Sequence, residues 1–142
     1  MFKNKGQQKE EESDQTDAIL ALLTASLRDD EHNVSLMYRK KLHEVVAEIF
    51  LKTNPQQSRY LHLLECMNAI AKLNTKAASA YVKKFIHRDI MQVIKNTFYT
   101  YKKSQDLAPA DNKDNVALIV KMYKVFSAQI ELIGSLLNAE PK

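Results

Sequence analysis

A chain of 142 residues is long enough to bury its own hydrophobic core within one domain. It has two glycines and three prolines, fewer than strand-and-turn folds use, and its one cysteine excludes an internal disulfide bond and any multi-cysteine metal site. The formal net charge of +4 is unevenly spread, because residues 1–31 carry four basic and eight acidic side chains, whereas residues 76–104 carry seven basic and one acidic.

The first predicted element is a polar arm. Residues 1–15 show no apolar periodicity and are rich in charge, so we expect them to be disordered. Residues 16–139 then form a single helical domain. Its first helix is capped by Asp14 or Thr16 and ends near Arg28, with leucine and isoleucine side chains on one face.

Two amphipathic helices follow. The second predicted helix begins near Asn33 and ends near Lys52, because Asn54 and Pro55 are typical of the start of another helix. The third predicted helix continues from there to about Asn74. Its apolar spacing predicts a core face made of Tyr60, Leu63, Leu64, Met67, Ile70 and Ala71.

The fourth predicted helix runs from about Lys76 to Lys103 and is separated from the third by a weak break that contains neither glycine nor proline. A polar connection over residues 104–115 follows. The fifth predicted helix, Val116 to Leu137, is apolar around most of its circumference, which is typical of a helix buried among neighbours. One apolar face comprises Val116, Ile119, Val120, Tyr123, Phe126, Ile130, Ile133 and Leu137. A second comprises Leu118, Met122, Val125, Leu132 and Leu136.

These elements predict an all-α fold, a five-helix bundle with a central C-terminal helix. The helix lengths also allow the alternative of a short array of helical hairpins of the HEAT or armadillo kind, although no internal repeat of fixed sequence is evident. A membrane span is not expected, because Lys121, Lys124 and Glu131 interrupt the most apolar helix. The N-terminus has no secretory apolar run, and Phe2 excludes N-myristoylation. We therefore expect a soluble, intracellular protein in the cytoplasm or the nucleus.

The strongest functional signal is a row of cations on the fourth predicted helix. Its members share about one fifth of the helical circumference, and no acid lies between them. Such a row is either the solvated side of an amphipathic helix or a surface for an acidic protein segment, a nucleic-acid backbone or anionic lipid headgroups. The acidic arm of the same chain could also cover it. The row consists of Lys84, Arg88, Lys95, Tyr99 and Lys102.

A second candidate surface lies on the fifth predicted helix. If that helix is at the edge of the fold rather than at its centre, its second apolar face meets a partner or another copy of the chain. The residues predicted for this contact are Leu118, Met122, Val125, Leu132 and Leu136.

Catalytic and metal chemistry fit the sequence poorly. There is no glycine-rich phosphate loop, no nucleophile motif and no set of metal ligands at inward positions. His62 and Cys66 are one helical turn apart, but Cys66 falls at the edge of a core face, where a structural role is more common. We expect no enzyme activity, no metal and no cofactor. The sequence favours a protein–protein interaction module, an adaptor or scaffold subunit, with nucleic-acid binding by the cationic row as the alternative.

Overall fold

The computed structural model describes the backbone of residues 5–107 and 113–138, with the side chains of residues 15–103, 117 and 119–138. All regular structure in these ranges is α-helical, which confirms the predicted fold class. Within the same ranges, no helix is both long and apolar enough to cross a membrane. The seven helices described are α1 (Lys5–Leu27), α2 (Glu31–Arg39), α3 (Leu42–Lys52), α4 (Ser58–Leu73), α5 (Thr75–Lys83), α6 (Ile86–Leu107) and α7 (Lys113–Asn138).

Helix α1 begins earlier than the sequence predicted. It starts at Lys5, so its range includes most of the segment for which we expected disorder, while residues 1–4 lie outside the described ranges. The side chains of its first ten residues are also outside those ranges, and the acidic cover over the cationic row therefore stays a hypothesis.

Two of the five predicted helices are each divided by a tight left-handed turn. The second divides into α2 and α3 at Lys41 (φ 60°), and the fourth divides into α5 and α6 at Phe85 (φ 61°). In both cases the N–H of the preceding lysine, Lys40 or Lys84, donates to carbonyls of the helix that it ends. A non-glycine residue at positive φ is uncommon, so the sequence carries no ordinary signal for either turn. The described helices therefore number seven rather than five.

The turn at Lys41 allows a direct test of this backbone geometry. The Lys41 side chain is exposed, and a left-handed conformation costs a non-glycine residue about 1–2 kcal/mol. Glycine removes this cost, but its greater flexibility in the unfolded chain offsets part of the gain. We expect Lys41→Gly to raise the free energy of unfolding by about 0.5–1 kcal/mol. The measurement is urea denaturation followed by circular dichroism. Lys40→Gly, at a neighbouring position with negative φ (−83°), is the matched control and should not stabilise the protein.

The helices form an internal repeat. Asp30 caps α2 by accepting a hydrogen bond from the N–H of Asn33 (3.0 Å). Asn74, which lies 44 residues after Asp30, caps α5 in the same way by accepting from the N–H of Ala77 (2.9 Å). Lys41 and Phe85 are separated by the same interval, whereas Asp29 (φ 54°), the third described non-glycine residue with positive φ, has no such counterpart at Leu73. Helices α1–α3 and α4–α6 are therefore two copies of one three-helix unit.

The repeat preserves geometry more than residue type. The Thr53 hydroxyl donates to the Ile49 carbonyl (2.6 Å), and the Thr97 hydroxyl donates to the Val93 carbonyl (2.8 Å). The donor and the acceptor of the second bond therefore follow those of the first by the same interval. Most other equivalent positions differ in type, which is why the sequence did not reveal the repeat. Between residues 30–53 and 74–97 the identical pairs are Ser35/Ser79, Lys40/Lys84, His43/His87 and Thr53/Thr97.

Helix α4 lies at the centre of the fold. It packs against α1 on one side and against α7 on the other, so that the three helices form a row. Helix α7 is at the edge of this row, which corrects the central position that the sequence predicted for it. The predicted core face of α4 is confirmed, and burial extends beyond it to give Tyr60, Leu63, Leu64, Cys66, Met67, Asn68, Ala69, Ile70 and Ala71.

Candidate functional site

One concave site on the described surface has a mainly polar lining. A cleft of about 250 Å³ lies where α1, α4 and α7 meet. Its polar groups bond to one another, since Arg28 lies 3.5 Å from Glu65 and the Asn68 amide donates to Glu131 (3.4 Å). Among the described side chains, no group of three or more His, Cys, Asp and Glu residues could hold a metal ion. These contacts join α4 to α7 and to the end of α1 across the cleft.

Cys66, which the sequence placed one turn from His62, is a core residue. Its side chain is fully buried at the contact between α1 and α4. Burial raises the pKa of the Cys66 thiol to about 11, and a hydrogen bond with Thr24 acts in the opposite direction. A neutral thiol without access to solvent is a poor nucleophile, so the structure does not support a Cys–His pair at this position.

The predicted cationic row is only partly retained. Lys84 ends α5 before the turn at Phe85, so it is not on the helix that carries the other four residues. It is half-buried and close enough to His43 that its charge adds to burial in lowering the pKa of that imidazole, while Glu44 raises it. Lys84 is therefore removed from the candidate surface. Arg88, Lys95, Tyr99 and Lys102 all lie on α6 and are exposed.

Large apolar side chains accompany these four residues. Met91 and Phe98 are exposed on the same side of α6, and the Phe98 ring packs edge-on against Phe126 of α7, with 5.4 Å between ring centres. Neither residue belongs to the row predicted from the sequence, although their absence from the predicted core face was a usable signal. We define the α6 outer face as Arg88, Met91, Lys95, Phe98, Tyr99 and Lys102.

The charge on the α6 outer face is uniformly positive. Asp89 is the one acid among the described side chains of α6, and it is half-buried, with a pKa that burial raises. At the near end of the face, the Arg88 guanidinium lies 4.8 Å from the centre of the Phe85 ring, within the range of a cation–π contact. The face therefore combines cations with exposed aromatic and aliphatic groups, and no carboxylate lies among them.

The second apolar face of α7, which the sequence predicted to contact a partner, is the one that packs on the core, and the first apolar face is largely exposed. Leu132 and Leu136, predicted to contact a partner, are fully buried on the side of α7 that packs on α4. Met122 and Val125 are half-buried, and the side chain of Leu118 lies outside the described ranges. The predicted partner surface on this side of α7 is thus occupied by the fold itself. The exposed apolar residues belong to the set predicted to be core, namely Ile119, Val120, Tyr123, Ile130 and Leu137.

Periodicity could not decide between these two faces. Both have helical spacing and similar apolar content, so the sequence shows that α7 has two apolar sides but not which one meets the core. The structure therefore leaves two surfaces as candidates for binding, the α6 outer face and the exposed apolar side of α7. A comparison of the chain with protein-family models, with curated proteins and with solved structures finds no match in any of the three.

Proposed function

We propose that this protein is a non-enzymatic helical-repeat module that binds another protein, and that the α6 outer face receives an acidic, amphipathic segment of that partner. One observation carries the proposal. The face places three cations and three large apolar side chains together on an exposed helix, with no acid among them. Exposed apolar groups of this size mark interaction sites, and Arg, Tyr, Phe and Met are the residue types enriched at protein interfaces.

The repeat supports a functional origin for this charge. In the first unit, the positions equivalent to Arg88 and Lys95 are occupied by Glu44 and Leu51. Both units adopt the same turns and caps, so cations at these positions are not a requirement of the fold. At these two positions the positive charge is found in α6 and not in α3, which favours a role in binding over a generic solvated surface.

The architecture that we propose is a short array of the HEAT or armadillo kind rather than a closed bundle. The interval of 44 residues between Asp30 and Asn74 lies within the repeat length of about 40–47 residues typical of such arrays. Equivalent helices α1, α4 and α7 stack as neighbours, and α3 packs beside α6. Arrays of this kind present extended surfaces along successive units, on which a segment of a partner can lie.

The test uses a fluorescein-labelled synthetic peptide that forms a helix with leucines at i, i+4, i+7 and i+11 and glutamates elsewhere. Fluorescence anisotropy measures its affinity for the full chain. We expect Lys95→Glu combined with Lys102→Glu to weaken binding by at least about tenfold, because two attractive charges become repulsive. Met91→Ala combined with Tyr99→Ala should weaken binding by about fivefold or more through lost apolar contact.

The matched control is Lys72→Glu combined with Lys76→Glu, which makes the same charge change at exposed positions of α4 and α5. This control should keep the affinity within about twofold. Equal losses in both charge variants would show a nonspecific effect of net charge and would contradict the proposal. Tighter binding of a single-stranded oligonucleotide, falling steeply with salt and unaffected by the Met91 and Tyr99 changes, would favour nucleic-acid binding instead.

A further inference from the structure

Helix α7 is a third copy of the first helix of the repeat unit. Phe126 follows Tyr60 by 66 residues, and the same interval relates Glu65 of α4 to Glu131 of α7. Both glutamates lie on the side of their helix that faces the preceding helix of the row, since Glu65 contacts Arg28, the residue after α1, and Glu131 accepts from Asn68 of α4. The row α1–α4–α7 therefore contains two successive interfaces of the same kind.

Equivalent positions show which sides of the row are left uncovered. On the side that faces the preceding helix, Cys66 and Leu132 are both 0% exposed, whereas the equivalent Leu22 of α1 is 72% exposed. On the side that faces the following helix, Leu27 is 1% and Ala71 is 4% exposed, whereas the equivalent Leu137 of α7 is 59% exposed. Each end of the row therefore has one apolar side that is exposed, although the equivalent sides of the neighbouring helices are buried in the internal interfaces.

The two uncovered sides differ in side-chain size. We call the exposed side of α1 the head face, consisting of Ala18, Ile19, Leu22 and Ala25. We call the exposed side of α7 the tail face, consisting of Ile119, Tyr123, Ile130 and Leu137. The head face is rich in small residues and the tail face in large ones. Gly134 lies beside the tail residues, and a Cβ added there would meet no atom within 4 Å, so a neighbouring helix could approach closely.

We propose that the head face of a second copy of this chain packs on the tail face, with α1 of that copy beside α7 in the way that α7 lies beside α4. Continuity with the two internal interfaces is the first argument for this occupant. This packing would bury Leu22 and Leu137 in the same way that the equivalent residues are already buried inside the row. The proposal rests on the repeat and not on binding at the α6 outer face.

The absence of charge is the second argument. The head face and the tail face contain no charged side chain, so no ionised group has to leave water when they pack. Lys121 and Lys124 are exposed on other sides of α7, since Lys121 lies two positions from both Ile119 and Tyr123 and is therefore almost opposite them at 3.6 residues per turn.

Head-to-tail packing joins two different surfaces, so each added copy presents a new free end. Such an interface does not stop at a dimer unless the rotation between copies closes a ring. A symmetric dimer would instead join like to like, head to head or tail to tail. This difference makes the arrangement testable with variants that block one end at a time.

Leu22→Glu blocks the head face, and Leu137→Glu blocks the tail face. Both side chains are exposed in the single chain, so neither change should disturb its fold, which circular dichroism and the melting temperature would check. Sedimentation velocity measures the mass. We expect the unchanged protein to increase in mass with concentration beyond that of two chains, and each variant alone to remain at 16.3 kDa. An equimolar mixture of the two variants should form a complex of two chains, because one intact head and one intact tail remain.

Leu51→Glu is the matched control, since Leu51 and its equivalent Lys95 are both exposed and lie on neither face. This variant should associate as the unchanged protein does, and so should the variant that carries Lys95→Glu and Lys102→Glu. The proposal is overturned if the unchanged protein keeps the mass of one chain at all concentrations. It is equally overturned if either blocked variant still associates alone, or if their mixture does not combine.

Discussion

Leu132→Ala is expected to lower the free energy of unfolding by about 2–5 kcal/mol, whereas Leu137→Ala should change it by less than about 0.5 kcal/mol. The two leucines are five positions apart on α7 and undergo the same chemical change, so helix propensity cancels. Leu132 is fully buried beside α4, and its truncation leaves a cavity, while Leu137 is largely exposed. Urea denaturation followed by circular dichroism measures both.

Both alanine changes should be made in a protein that also carries Leu22→Glu, because association of copies would otherwise add to the stability of the unchanged protein. The expected order depends on which side of α7 packs on α4. A larger loss for Leu137→Ala than for Leu132→Ala would mean that the side predicted from the sequence alone is the buried one. It would also remove the tail face from which head-to-tail packing is inferred.

Raising the pH from 9 to 11 is expected to remove much of the stability of the fold. Burial raises the pKa of the Cys66 thiol from 9.0 to about 11 and the pKa of the Tyr60 hydroxyl to about 12, and it also raises the pKa of Tyr81. These groups bind their protons more tightly in the folded state. Their contribution is complete below the unfolded pKa and is lost as the pH rises through the folded value.

The expected magnitude follows from the linkage between proton binding and unfolding. For Cys66, a difference of about two pKa units corresponds to about 3 kcal/mol over the whole titration, of which about 2 kcal/mol is lost between pH 9 and pH 11. The two tyrosines steepen the loss above pH 10, where their unfolded forms begin to ionise. Since a typical domain is stable by about 5–15 kcal/mol, the effect is large.

Urea midpoints at pH 7, 9, 10 and 11 would measure this loss, and Cys66→Ala is the informative variant. Between pH 9 and pH 10 the thiol dominates, so the variant should be less stable at neutral pH but should lose less on moving through that interval. Parallel curves for the variant and the unchanged protein would contradict the assignment of this step to Cys66.

The sequence contained enough information for the fold class and for the core side of α4. Its six predicted core residues, from Tyr60 to Ala71, are all buried, because their apolar spacing matches the helical period and because both sides of α4 are covered. The predicted ends of the helices near Arg28 and Lys52 also agree with α1 and α3 to within a residue. Periodicity therefore performs well for α4, because neighbouring helices cover both of its sides and no choice between two apolar faces is needed.

The sequence did not contain an ordinary signal for the turns at Lys41 and Phe85. A left-handed turn is usually recognised by glycine, and here a lysine and a phenylalanine adopt it because the helices on both sides determine the backbone. The consequence for the candidate site was direct, since Lys84 was placed in register with residues that belong to another helix. Arg88, Lys95, Tyr99 and Lys102 were correctly grouped on one side of α6 because no turn separates them.

The division into units also bears on how the chain folds. The main contacts, α1 with α4 and α4 with α7, join helices that are distant in sequence, since Asp17 and Ser58 are 41 positions apart and Tyr60 and Gln129 are 69 apart, whereas each unit repeats the same short-range caps and turns. Loop-closure entropy must be lost before the row forms, so we expect the caps and turns within each unit to form before it. Structure can begin in either unit and spread along the row, so no single distant pairing has to form first.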